Sequence, residues 1–451
     1  MKWLLPNAPM RSQVEATRRL EQRDSLALFM DMGLGKTWTV FNQILVREID
    51  RTVVACPPYL LSNWADEFDK SGMSTMNVGM TVHPDPVPKG TLGRPHIHVV
   101  NNQQLRTPNY DNLERFLEEG VACFVGDESQ EYKNYQSIIS RKAMMLARMA
   151  KHRYILTGTP WERVTDLWPQ LRIINGISGM SPVAFRGRFA KMGGYKGKQV
   201  VGVANHEELK TILAECAFEA SEEEYADLPE KRERTIGYQM TGPQARAYRS
   251  MVEERLMTIE NDGTDVSAEM AITVLTKLQQ IACGFVIDND GQSHDLMPLA
   301  ENPRINAVKE QVAAVHGKVL IACRFVRSVD HLLTAFPGAA FLRGNMTRDE
   351  VKAQKDRFNK DPECRVMVGQ SSVTKSGHTL IGEAGDNRCH TLVFYENEFS
   401  SIVRRQMEKR PHRQGQDMPV TYVDIVASSI DTKTIGALRK KRDIVREVMG
   451  W

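Results

Sequence analysis

The stretch Asp31-Met32-Gly33-Leu34-Gly35-Lys36-Thr37 has the residue types and spacing of a loop that grips phosphate. Backbone N–H groups of a glycine-rich turn converge on phosphate oxygens, a lysine adds a point charge, and a threonine hydroxyl can ligate magnesium. Here Gly33 and Gly35 shape the turn, Lys36 is the cation and Thr37 the hydroxyl, while Met30 stands where the strict G-x-x-x-x-G-K-[ST] pattern has its first glycine. A nucleoside triphosphate is the expected ligand. The second group is Asp127-Glu128, two carboxylates at the end of an apolar run. Phosphoryl transfer needs one acid to hold hydrated magnesium and another to orient the attacking water, so Asp127 is assigned to the metal and Glu128 to the water.

Such groups must be carried on strand ends. Leu26 to Met30 reads as a buried strand entering the loop, and Trp38 to Val46 as the helix leaving it. Short apolar strands at 52–56, 97–100, 122–125 and 154–156 alternate with helical stretches, the pattern of a parallel sheet with crossover helices. From about Glu207 to Ile281 helical periodicity dominates without clear strands. Beyond Asn302 the alternation returns, with strands at 318–322, 340–342, 365–368, 391–394 and 420–423. The chain is thus expected to be α/β, with a first lobe over 1–178, a largely helical insert over 179–301 and a second lobe over 302–451. Ligands in open α/β sheets sit at the carboxyl ends of strands.

Composition sets limits on function. Of 451 residues, 41% are hydrophobic and 25% charged, as in ordinary globular proteins. No apolar run reaches the roughly 18 residues that span a bilayer, so no membrane partner is expected, and neither is a secretory leader. Seven scattered cysteines without a C-x-x-C pair are expected to be reduced, buried thiols, consistent with a cytoplasmic setting. His96-x-His98 is expected to serve the strand rather than a metal. Net charge is only +3, but Arg186, Arg188, Lys191, Lys196 and Lys198 fall between Pro182 and Val201 with no acidic residue. Phe185, Phe189 and Tyr195 lie among them, which suits contacts to nucleic-acid phosphates.

The motifs together resemble the Swi/Snf-type branch of superfamily 2 helicases and DNA translocases. Asp127-Glu128-Ser129-Gln130-Glu131-Tyr132-Lys133-Asn134 is similar to the family's D-E-A-H-x-x-K-N, with Ser and Gln for Ala and His. Cys56-Pro57-Pro58 with Trp64 and Phe68 resembles motif Ia, and Leu156-Thr157-Gly158-Thr159-Pro160 followed by Leu167-Trp168 resembles motif III. In the second lobe, Lys318 to Ile321 resembles motif IV, Gly344 to Thr347 the following G-x-x-[ST] segment, and Gly377-His378-Thr379-Leu380 motif V. Gln406 to Gln416 is close to Q-x-x-G-R-x-H-R-x-G-Q, with Lys409 in place of the glycine. The motifs run in order from Gln13 to Gln416, about nine-tenths of the chain.

The resemblance implies two RecA-like parallel-sheet lobes joined by the helical insert, and ATP with Mg2+ as cofactors. It implies that Gln13 reads adenine, that Gln406 belongs to the nucleotide-binding set, and that Arg410 and Arg413 supply the guanidinium groups that stabilise charge on the γ-phosphate. Because those arginines lie in the second lobe, hydrolysis is expected to require lobe movement. Pro57, Asn102, Thr159, Thr347, Gly377 and Thr379 are implied to line the nucleic-acid side, with contacts that ignore sequence; Arg186 and Arg188 join them from the basic segment. The expected function is a helicase or translocase, similar to compact phage and bacterial branch-migration enzymes, tracking 3′ to 5′ on forked, branched or duplex DNA in replication or recombination. A monomer working in a bacterial or phage-infected cytosol is expected. Two alternatives stay open: a double-strand translocase that displaces proteins without separating strands, and a nucleotide-controlled binding module with little turnover.

Overall fold

The computed structural model describes residues 2–88, 93–193, 197, 199–225, 227–262, 268–375, 379–382, 388–427 and 429–449. Gly377 and His378 of the motif V segment, and Tyr195, Lys196 and Lys198 of the basic segment, lie outside the described residues. The chain forms two compact units, residues 1–227 with 442–451, and residues 228–441.

The first unit carries β1 (Ser25–Met30), β2 (Arg51–Cys56), β3 (Gly79–Val82), β4 (His96–Asn101), β5 (Ala122–Asp127), β6 (His152–Thr157), β7 (Ala190–Gly193), β8 (Gln199–Val203) and β9 (Ala217–Ala220). Seven of these form one parallel sheet in the order β3-β4-β2-β5-β6-β1-β9. Its central strands are apolar at successive positions because both faces are covered. Alternate side chains feed opposite cores: Ala27 and Phe29 of β1 enter one, while Leu26, Leu28 and Met30 enter the other.

The second unit carries β10 (Lys231–Gly237), β11 (Phe285–Ile287), β12 (Ser293–Asp295), β13 (Lys318–Cys323), β14 (Ala340–Leu342), β15 (Val366–Gln370), β16 (Cys389–Phe394) and β17 (Val420–Val426). Six form a parallel sheet, β10-β17-β16-β13-β15-β14. Again the strands split between two cores, Val319 and Ile321 to one and Leu320 and Ala322 to the other.

Within 179–301, the stretch expected to be largely helical, the structure adds one strand to each parallel sheet. β9 pairs with β1 in the first sheet, and β10 pairs with β17 in the second. Neither strand carries an apolar run: β9 is Ala-Phe-Glu-Ala, and β10, Lys-Arg-Glu-Arg-Thr-Ile-Gly, is almost wholly exposed. They are edge strands recruited by backbone hydrogen bonds to a preformed sheet, which composition does not announce.

His96 and His98 share one face of β4, and Thr81 of β3 serves both: its Oγ1 lies 3.1 Å from His96 Nε2 and 2.6 Å from His98 Nδ1. Burial pushes both imidazoles down to about 4, helped by Arg94 and Arg51 near His96 and by His96 and His83 near His98. An unfolded histidine titrates near 6.5. The unfolded chain therefore binds more protons between these values, and stability that is complete above pH ~6.5 is lost as pH falls towards ~4. The urea midpoint is expected to drop on the order of 1 M from pH 7 to pH 5. His98→Gln should flatten that slope, and an equal slope in the variant would remove this pair as its cause.

Among the described residues no group of three or more His, Cys, Asp or Glu is arranged to hold a metal ion. All seven cysteines are free and buried. No helix among the described residues is long and apolar enough to cross a membrane.

Candidate active site

The strand order puts the ends of β5, β6 and β1 side by side, with Asp127 opposite Leu156 and Phe29 opposite Thr157. The Asp127-Glu128 turn, the Thr157-Gly158-Thr159 turn and the phosphate loop thus leave one edge of one sheet together. Their backbones run close: a Cβ on Gly158 would come 3.2 Å from the Met30 carbonyl oxygen.

Met30, at the position of the pattern's first glycine, is the buried last residue of β1, so the loop proper begins at Asp31. Gly33 and Gly35 take φ of 82° and 81°, the left-handed region that favours glycine. Gly35 caps the helix Lys36–Val46, leaving that helix's first amides aimed at the loop. It has a second constraint, because a Cβ there would lie 2.2 Å from Gln13 Nε2. Gln13 Nε2 donates to the Gly35 carbonyl at 3.2 Å, and its Oε1 accepts from Met10 N at 2.8 Å. Ser12 Oγ donates to the Leu34 carbonyl at 3.0 Å, so the helix Arg11–Glu21 is fastened to the loop at two points. Lys36 Nζ donates to the carbonyls of Met30 at 2.8 Å and Asp31 at 3.0 Å. β9 holds the loop from its other side: Asp31 N donates to the Ala220 carbonyl at 2.9 Å, and Asp31 Oδ2 accepts from Glu222 N at 3.1 Å.

Asp127 ends β5 with both oxygens engaged. Oδ1 accepts from Glu128 N at 2.9 Å, and Oδ2 accepts from the indole N–H of Trp64 at 2.9 Å. Trp64 rides on the helix Leu61–Ser71 and packs edge-on against Phe41 of the loop helix, 5.5 Å between ring centres. Burial, with the Glu128 charge beside it, pushes the Asp127 carboxyl up to about 6 against the opposing pull of Lys36. Asp127 and the half-buried Thr37 hydroxyl offer hard oxygen donors, and a crowded acid raised in this way gains from a cation, so the donor set fits Mg2+. Trp64→Phe keeps an aromatic ring but loses the N–H together with the pyrrole half of a fully buried indole. We expect the Mg2+ concentration that half-saturates nucleotide binding to rise about tenfold, equivalent to about 1.4 kcal/mol. A fluorescent-ADP titration at varied Mg2+ checks this; an unchanged Mg2+ requirement would assign Trp64 to packing alone.

Glu128 is buried at φ 50°, a left-handed conformation that costs a non-glycine residue about 1 to 3 kcal/mol. A relay of hydrogen bonds fixes its side chain. Gln130 Nε2 donates to Glu128 Oε2, Gln130 Oε1 accepts from Thr157 Oγ1 at 2.6 Å, and Thr157 Oγ1 accepts from Thr159 N at 3.0 Å. Gln130 thereby ties the carboxylate turn to the β6 turn. A parallel tie runs from Ser129 Oγ to Gln170 Oε1 at 2.7 Å, and from Gln170 Nε2 to the Pro160 carbonyl at 2.5 Å. Sequence reasoning noted Trp64 and Gln130 only as motif letters; their bonding to the two acids depends on which strands are neighbours.

Gln13, Gly33, Gly35, Lys36, Thr37, Asp127 and Glu128 all lie in the first unit. The proposed nucleic-acid residues are more scattered. Pro57 is buried just past β2. Asn102 is buried, its Oδ1 accepting from Tyr132 Oη at 3.0 Å, which makes its side chain a brace. Thr159 is buried. Arg186 and Arg188 are exposed on the helix Pro182–Phe189, but Arg188 pairs with Glu208 at 2.5 Å. Phe185 and Phe189 are not surface aromatics: both are fully buried with rings 4.9 Å apart, because a helix crossing the unit's core must bury one face.

In the second unit, Thr347 caps the helix Arg348–Lys360, its Oγ1 donating to Glu350 Oε2 at 2.9 Å. The Thr379 carbonyl accepts from Asn359 Nδ2 at 2.9 Å. Gln406 is buried in the last turn of the helix Ser401–Glu408, and its carbonyl accepts from Arg410 Nε at 2.8 Å. Arg410 is buried and Arg413 half-buried. The segment is braced by Gln416 Nε2, which donates to the carbonyls of Cys389 and Pro411 at 2.9 Å each.

The SNF2-related domain family matches residues 11–285. The chain is 22% identical over 464 residues to the SWI/SNF-related matrix-associated actin-dependent regulator of chromatin subfamily A-like protein 1 of Drosophila melanogaster, covering 95% of this chain and 54% of that protein. It is 23% identical over 475 residues to a DNA repair and recombination protein RAD54-like of Drosophila persimilis, covering 92% of this chain and 59% of that protein. The chain thus spans little more than half the length of these two relatives. A solved structure of the Sulfolobus solfataricus SWI2/SNF2 ATPase core in complex with dsDNA aligns with a TM-score of 0.44 at 20% identity, covering 99% of both chains.

Proposed function

Since the chain belongs to the family of the SNF2-related domain, we propose that it is a DNA-dependent ATP hydrolase that converts ATP hydrolysis into movement along DNA. One observation carries this reading: Lys36 follows β1 and Asp127-Glu128 end β5, the two strands that flank β6 in one sheet, with Glu128 locked by Gln130 and Thr157. A surface turn with two incidental acids has no reason to bury them, strain one and bond the other at both oxygens. Gln13 holds the base side of the loop, Lys36 and the helix amides take the phosphates, and Glu128 orients water. Bound Mg2+, held by Thr37 and Asp127, would neutralise phosphate charge. Arg413, with Arg410, answers the charge that develops on the transferred phosphoryl group.

The finer reading is a helicase that separates or remodels forked and branched DNA in replication or recombination, tracking 3′ to 5′, as a monomer in a cytosol-like compartment. The relative named for DNA repair and recombination supports that setting. The test measures ATPase stimulation and DNA products side by side on single strands, blunt duplexes, forks and four-way junctions. Stimulated turnover with separated strands from forks or junctions is expected. Strong duplex-stimulated turnover without strand separation would replace this reading with a translocase that displaces bound proteins, and no stimulation by any DNA would overturn the motor itself.

A further inference from the structure

We propose that the outer face of the helix Ile138–Met149 is a docking surface, and that its occupant is an acidic amphipathic helix of a partner protein. The helix connects β5 to β6 in the first unit. It packs inward through Ser140, Ala143, Leu146 and Ala147, all buried, and Ser140 Oγ donates to the Tyr132 carbonyl at 2.9 Å. Holding a helix on a sheet requires one apolar face. Here the sequence supplies a second. Ile138, Met145 and Met149 are 48%, 47% and 37% exposed. Their separations are close to whole helical turns, so the three side chains form one line about 16 Å long, on the side away from Ala143 and Ala147. Four of the ten exposed large apolar side chains among the described residues lie between Tyr135 and Met149. Single exposed apolar residues are ordinary, whereas a row in register marks a surface that meets something.

Charge identifies what it meets. From Ile138 to Lys151 the sequence holds Arg141, Lys142, Arg148 and Lys151 and no acidic residue. Helical spacing places Arg141 and Arg148 along one border of the apolar line and Lys142 along the other. Arg141, Arg148 and Lys151 are exposed, and among the described residues none of the three makes an ion pair. Lys142 Nζ lies 3.5 Å from the centre of the Tyr110 ring.

An apolar centre with a charged rim is the anatomy of a protein interface, where methionine and arginine are favoured. A partner helix with apolar residues at the matching spacing and Asp or Glu beside them satisfies the centre and the rim together. A second copy of this helix would set arginine against arginine, which opposes association. DNA would engage the cations, but a phosphate backbone gives the row of apolar side chains nothing to bury against.

The test uses the full chain and a fluorescent acidic peptide of about 20 residues, with leucines at i, i+4, i+7 and i+11 and glutamates around them. Anisotropy should show micromolar binding that a scrambled peptide of the same composition lacks. Met145→Ser with Met149→Ser should weaken binding at least about tenfold. Arg141→Glu with Arg148→Glu should weaken it as much, and should bind a version of the peptide with lysine in place of glutamate. All these positions are exposed, so thermal midpoints by circular dichroism should stay within about 3 °C of the parent. Equal binding of the scrambled peptide, unchanged binding in the methionine variant, or no gain for the lysine peptide would overturn the proposal. Sedimentation showing parent dimers that the methionine variant abolishes would give the face to a second copy. Variants that lose duplex-DNA binding but keep the acidic peptide would give it to DNA, and either result overturns the acidic helix as occupant.

Discussion

Lys36→Ala and Glu128→Gln each abolish ATP turnover, by on the order of 10³-fold or more, while DNA affinity changes little. Lys36 Nζ sits on the carbonyls of Met30, the last residue of β1, and of Asp31, 2.8 Å and 3.0 Å away, so its removal takes the point charge from the phosphate cradle. Glu128→Gln is the sharper variant. It preserves volume, the strained turn and an acceptor for the Gln130 amide, and removes only the negative charge that polarises water. Steady-state ATPase at saturating DNA, with anisotropy of labelled DNA alongside, measures both effects. Full turnover in either variant would refute these assignments, and equal loss of DNA affinity would mean the loop serves the whole unit's fold.

Arg413→Ala lowers kcat by roughly 10³-fold and leaves ATP affinity within a few fold. A guanidinium that answers charge formed in the transition state contributes little to the ground state. Arg413 is the diagnostic position because it is half-buried, whereas Arg410 is buried with its Nε on the Gln406 carbonyl. Replacing Arg410 would therefore disturb the segment it helps to fold. Single-turnover hydrolysis and equilibrium binding of a non-hydrolysable ATP analogue separate the two parameters. An affinity loss that accounts for the whole rate loss would contradict the role.

The parallel strands are legible in the sequence because a strand covered on both faces must be apolar at nearly every position, as Leu26 to Met30 and Thr52 to Cys56 are. The loop helix is legible because glycine, lysine and threonine precede an apolar-rich run. β9 and β10 are not, since an edge strand is chosen by the sheet it joins and not by its own residues. The aromatic interleaving of the basic segment misleads for a related reason: Phe185 and Phe189 are four apart on one helix and face the core, while the cations face water.

The sequence by itself determined the residue types, their order and the family, because covalent spacing around the phosphate loop and along the helix after it is short-range. Only tertiary structure decided that β6 lies between β5 and β1. That neighbourhood lets Gln130 reach Thr157, and the packing of the helix Leu61–Ser71 brings Trp64 to Asp127 from 63 positions earlier in the chain. The physical reason is that such bonds join segments far apart in the chain, and their partners are set by which backbones share hydrogen bonds and cores.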